Sequence, residues 1–135
     1  MIRVAHKTSL IGTAVAIVCI LSGMSALSRA DAKNADLINM LNSENRGWRY
    51  SAAKLLGERR VVEAVEPLIE QLEVEKDTSV RIVISQALHK IGGLQAFAAL
   101  KETARTDRNK TVRHLAAALA ADLEKFAYGR EVHSR

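Results

Sequence analysis

A fixed spacing of 32 residues constrains this chain more than anything else in it. Trp48-Arg49, Val80-Arg81 and Val112-Arg113 stand one period apart, and Asn45, Asp77 and Asn109 precede them at a constant offset. The spacing extends to the segments between. Val65, Leu68 and Leu72 correspond to Phe97, Leu100 and Ala104. A period of this length means one small supersecondary unit used several times. A single unit cannot bury both of its faces, so neighbouring units must stack.

Within each period the apolar residues follow a helical repeat. Trp48, Ser51, Ala52, Leu55 and Leu56 recur at three and four residues, as do Val80, Val83, Ile84, Ala87, Leu88 and Ile91, and Val112, Leu115, Ala116, Leu119, Ala120 and Leu123. Between them Val61, Val65, Leu68, Ile69 and Leu72 predict a helix with Pro67 near its start, and Leu94, Phe97, Leu100 and Ala104 predict another. Lys33 to Leu41 reads as a short first helix, and Glu63, Glu66, Glu70 and Glu73 read as a solvated face. Thr78 or Ser79 is the expected N-cap of the middle helix. Gly57 and Gly92-Gly93 are expected to end helices, and Trp48 is expected in the core like Val80 and Val112. Ile84 stands where the flanking units carry Ala52 and Ala116, so the middle unit should be the best buried. The expected fold class is all-α, with a repeat domain over 33–127 and a disordered tail over 128–135. An aromatic content of only 4% with a single Pro suits helices better than sheet.

The first 32 residues follow a different pattern. A short cationic head with Arg3 and Lys7 leads into an uncharged apolar run from Leu10 to Leu27, and Ala30-x-Ala32 supplies the small residues that signal peptidase requires. The expectation is a bacterial secretory signal over 1–32, cleaved after Ala32, and a periplasmic or secreted product. The alternative is an uncleaved inner-membrane anchor through residues 10–27, a run of about 18 residues near the lower limit for a span. The only cysteine, Cys19, lies in mid-run after Val18, which is not where a lipidated cysteine sits. Beyond residue 32 there is no cysteine, which excludes disulfides and cysteine-based metal or thiol chemistry there.

Asp77 with Val80-Arg81, Asn109 with Val112-Arg113, Asn45 with Trp48-Arg49, and the run Ala52-Ala53-Lys54-Leu55-Leu56-Gly57 followed by Glu63-Ala64-Val65-Glu66-Pro67-Leu68 resemble HEAT repeats, particularly the short bilin-lyase-like variety. The resemblance covers about residues 35–126. It implies a right-handed α-solenoid of about three helix pairs, with the second helices lining the concave side and protein binding as the usual task. A minority of relatives attach bilins or act on nucleic acid.

Two readings of Arg49, Arg81 and Arg113 stand open. They either pair with the turn residues Asn45, Asp77 or Asn109 of a neighbouring unit, as this arginine does in relatives, or form an anion-binding ladder. The small residues Ala53, Ser85 and Ala117, then Gly57, His89 and Ala121, either tighten the stack or floor a shallow groove flanked by Tyr50, Lys54, Gln86 and His114. His89, His114 and His133 have no converging ligands, so no metal is expected. No phosphate loop, nucleophile elbow or carboxylate pair appears, so neither catalysis nor a cofactor is expected.

The net charge of +5 looks like a nucleic-acid signature until it is divided. Removing Arg3, Lys7, Arg29 and Asp31 with the first 32 residues leaves seventeen basic and fourteen acidic side chains, which is only mildly basic. The expected function is a non-catalytic scaffold for a protein partner of unknown identity, an acidic one among the options, with self-association through a terminal helix as a further option. No nucleic-acid or membrane partner is expected, the latter unless the N-terminal segment stays attached. The alternatives are a lyase-like or chaperone-like accessory protein, and a nucleic-acid-binding helical repeat.

Overall fold

The computed structural model describes residues 29–132, and the chain divides into units 1–33 and 34–135. The apolar run 10–27 therefore lies outside the described residues, as does His133. Every regular element described is helical. Residues 29–40 form α1, followed by α2 (Arg46–Glu58), a 3-10 turn (Val62–Ala64), α3 (Val65–Val74), α4 (Thr78–Ile91), α5 (Leu94–Thr106) and α6 (Lys110–Val132). The second helices stack in order, α2 on α4 and α4 on α6. The first helices α3 and α5 pack on each other and on their own partners. The architecture is an all-α solenoid.

The apolar stripe of each helix is the reason for the stacking. Leu56, Leu68, Val80, Ile84, Leu88 and Leu100 are completely buried, and Leu37 and Leu41 join the same core from the first pair. Full burial of each such side chain contributes about 1.5–3 kcal/mol. Ile84 is among the largest fully buried side chains, as its bulk in the middle unit predicts. The Glu63, Glu66, Glu70 and Glu73 stripe is exposed. Pro67 is the third residue of α3, where a missing N–H leaves no bond unmade.

Several local expectations differ from the structure. The cap of α4 is Asp77 and not Thr78 or Ser79, because a carboxylate one residue ahead of the helix reaches both the Ser79 and Val80 amides. Gly57 does not end α2. It is buried inside the helix, and a Cβ there would meet the Ala87 backbone at 2.6 Å, so its task is close approach to α4. The chain leaves α2 through Arg60, at a left-handed φ of 52°. Gly92 and Gly93 do form the α4–α5 turn, with φ of 77° and 93° that disfavour any other residue. Trp48 is 56% exposed while Val80 and Val112 are fully buried, because among the described residues no second helix precedes α2 to cover it. The expected tail from 128 is helical as far as Val132. Gly129 is the only helix breaker there, at about 1 kcal/mol against Ala.

Candidate functional site

Each second helix starts from the same three-part turn. Asn45, Asp77 and Asn109 accept hydrogen bonds from the amides two and three residues ahead, which caps α2, α4 and α6. Two residues earlier, Ser43, Glu75 and Asp107 accept from the amide of each capping residue at 3.2, 2.9 and 2.7 Å. Three chemically different side chains perform one structural task at one repeat position.

The repeated arginine joins this turn to the next. Arg49 donates through Nη1 to the Ser43 and Glu44 carbonyls, and Arg81 through Nη1 to the Glu75 and Lys76 carbonyls. The same guanidinium then reaches the carboxylate 26 residues ahead, in the following unit. Arg49 holds Glu75 with two bonds, Nε to Oε2 at 2.7 Å and Nη2 to Oε1 at 3.0 Å. Arg81 repeats the reach with Nη2 donating to Asp107 Oδ1 at 3.3 Å. Its Nε lies 3.0 Å from Asp107 Oδ2, at ion-pair distance but without the alignment of a hydrogen bond. Arg108 adds a bond back to the Glu75 and Lys76 carbonyls. Arg113 makes the carbonyl contact to Asp107 at 2.7 Å, and among the described residues no carboxylate meets it.

Glu75 is buried, and burial alone pushes its carboxyl up. Hydrogen bonds from Arg49, the Asp77 amide and Gln71, with the Arg49 charge, outweigh that and hold it at about 2, below its usual 4.5. Asp77 is likewise held low, by the Val80 amide first and by Arg46. The Arg49 guanidinium is pushed up by its bond to Glu75.

These contacts place the candidate residues. Arg81 is 3% exposed and Ser85 is fully buried, with its hydroxyl donating to the Arg81 carbonyl, so neither belongs to a partner surface. Arg49 is occupied by Glu75. Arg49 and Arg81 serve the stack, and their partners are the acids two residues before the expected turn residues; Asp77 is met instead by Arg46 at 3.3 Å. The supposed groove floor is closed over α2 and the start of α4, while Ala117 and Ala121 on α6 are exposed. Ala53, Ser85 and Gly57 are buried, Gly57 directly against Ala87 of the next second helix. His89 is half-buried, its Nε2 2.8 Å from Asp122 Oδ2, a bridge between α4 and α6.

Tyr50, Lys54, Gln86 and His114 remain exposed. They lie in two rows one period apart, Tyr50 with Ile82 and His114, and Lys54 with Gln86 and Ala118. Ile82 and Ala118 were missed because neither carries a functional group; their repeat position was the available signal. Among the described residues no group of three His, Cys, Asp or Glu converges on a metal position, and no helix is long and apolar enough to cross a membrane.

The search of curated proteins returned no match to this chain. The family model for HEAT repeats matches residues 34–120, well over half of the chain. HEAT repeats generally serve as protein-interaction scaffolds, and the family is typically non-catalytic. The chain belongs to the HEAT-repeat family.

Proposed function

We propose that this protein is an exported, non-catalytic scaffold that binds a protein partner through the outward face of its second helices. The observation that carries the reading is a division of labour. The recurrent arginines and small residues of α2 and α4 are consumed by the stack, which leaves Tyr50, Lys54, Ile82, Gln86 and His114 as a repeated accessible surface. Tyr50 offers a large, rigid and amphipathic contact. The face carries both charges: Lys54 lies 3.9 Å from Glu58, and Lys90 shares its repeat row with Glu58 and Asp122.

Export rests on the cationic head, the uncharged run 10–27 and Ala30-x-Ala32. The expected junction after Ala32 falls within α1 and one residue from the boundary between the two units. Cleavage there keeps Leu37 and Leu41 in the repeat domain. Mass spectrometry of the protein from the cell envelope should find Lys33 as the first residue; a chain that begins earlier sinks the cleaved-signal reading.

Photo-crosslinkers placed in living cells at Tyr50 and at Gln86 test the binding surface. Both should trap the same protein, and a crosslinker at Glu70 on α3 should not. Equal trapping from Glu70, or no adduct at all, excludes the second-helix face as the working surface.

A further inference from the structure

Among the described residues nothing covers the outer face of α6. In α2 the stripe Arg49, Ala53 and Gly57 is covered by α4, and in α4 the equivalent Arg81, Ser85 and His89 is covered by α6. The third copy of that stripe is Arg113, Ala117 and Ala121, and here both alanines are exposed. A helix at the end of an array ordinarily presents a polar outer face. This one presents Ala117 and Ala121 between Arg113 and Glu124, with Lys110, His114 and Lys125 exposed beside them.

Arg113 points to what covers it. Both of its repeat equivalents take a carboxylate from the neighbouring unit, Glu75 at 2.7 Å and Asp107 at 3.0 Å. Arg113 is held by the Asp107 carbonyl in the same manner, and among the described residues it meets no carboxylate. Glu124 lies eleven residues further on. At 100° per residue it returns to within about 20° of Arg113 around the helix and stands about 16 Å along it, three turns away. Glu124 is exposed and makes no ion pair among the described residues.

We infer that the protein pairs with a second copy of itself, α6 against α6, antiparallel about an axis between Ala117 and Ala120. That arrangement sets each Arg113 beside the other copy's Glu124, twice by symmetry, and packs the small alanines where the helices cross. A two-fold pairing also closes on itself. Head-to-tail stacking of copies does not supply the missing charge, because the residue equivalent to Glu75 and Asp107 in the first unit is Ser43. One helix face of small residues is less than the roughly 800 Å² per partner of a standard interface, so the dimer is weak, in the micromolar range or above.

Sedimentation equilibrium of the purified protein, as its host processes it, tests the pairing across concentrations from about 1 μM to 1 mM, the span in which such an interface changes occupancy. The expected result is a monomer–dimer equilibrium. R113E and E124R should each weaken it about tenfold or more, and the R113E/E124R double variant should restore most of the loss. E124R alters an exposed residue and should leave the melting temperature unchanged, so it reports association even if R113E perturbs the Asp107 turn. A monomer at every concentration overturns the proposal. So does a dimer indifferent to both single substitutions, or binding of an acidic helical peptide at Arg113 by a protein that stays monomeric.

Discussion

Arg49 grips Glu75 with two parallel bonds, 2.7 Å from Nε to Oε2 and 3.0 Å from Nη2 to Oε1, across 26 residues of sequence. The acid side chain is 2% exposed and the guanidinium 17%. Glu75 also receives Gln71 Nε2 and the Asp77 amide, so its removal strands three donors at once. Glu75→Ala is expected to cost about 3 kcal/mol, the lower end for breaking a buried pair because Arg49 keeps some water. Urea unfolding followed by circular dichroism measures it; a loss below about 1 kcal/mol, the usual net worth of a single hydrogen bond, refutes the assigned role.

The same carboxylate sets an acid limb of stability. Its folded value of about 2 lies below the ordinary 4.5, so the folded state binds protons less readily than the unfolded one. The stabilisation is fully present above about pH 4.5 and is lost as pH falls toward 2. Asp77, also held low, acts in the same direction. In Glu75→Gln this limb should flatten, leaving a lower stability at neutral pH with a weaker dependence on acid. A Gln variant with an unchanged slope between pH 4.5 and 2 excludes Glu75 as its source.

Gly57→Ala tests two opposed effects. Alanine is the better helix former by about 1 kcal/mol, which alone predicts stabilisation. The added Cβ, however, lands 2.6 Å from Ala87 Cα and 2.8 Å from its Cβ, against backbone that cannot rotate away. Packing should win, with a net loss of about 1–3 kcal/mol as α2 and α4 separate. A melting temperature equal to or above that of the parent protein contradicts this close contact.

Arg81→Glu and Gln86→Glu sit five residues apart on α4 and should behave differently. The first places a carboxylate beside Asp107 and the turn carbonyls in a buried site, and is expected to unfold the domain or to cost about 3–5 kcal/mol. The second is exposed and should change stability by no more than about 0.5 kcal/mol. A well-folded Arg81→Glu protein at the parent melting temperature returns that arginine to the list of binding residues.

The caps offer a graded series. Ala in place of Asn45, Asp77 or Asn109 removes the one oxygen that accepts from two backbone amides and should cost about 1 kcal/mol per site. Asp77 should cost most, because it also pairs with Arg46. Thermal melts of the three single variants order them.

The sequence displays the helices and their pairing, because each repeats with like residues such as Val80 and Val112; it also displays the recurrence of Asn45, Asp77 and Asn109, but the cap of α4 was expected at Thr78 or Ser79, one or two residues too late. It hides the acceptor position, where Ser43, Glu75 and Asp107 share a function but no side chain, so alignment finds no identity to notice. The arginine pairing was therefore expected two residues too late. Small residues are equally ambiguous in one dimension. Ala53 and Ala117 look alike in the chain, and only the presence or absence of a helix on top separates a packing residue from a surface one. Trp48 shows the reverse, since a core position in a repeat becomes surface where the array begins. The exposed rows survive from the sequence reading in Tyr50, Lys54, Gln86 and His114.

The reach of each arginine also separates contacts that one unit can make alone from contacts that need its successor. The bonds from Arg49 to Ser43 and Glu44, and from Arg81 to Glu75 and Lys76, join residues five and six apart, within one unit. The bonds to Glu75 and Asp107 await a segment synthesised later. A unit emerging from the ribosome can orient its guanidinium against its own carbonyls at once, and its successor then latches it. An array of this kind can nucleate at any unit and propagate to its neighbours, with only short sequence separations to close. A chain halted after Arg49 but before Glu75, or after Arg81 but before Asp107, carries one unlatched arginine at its growing end.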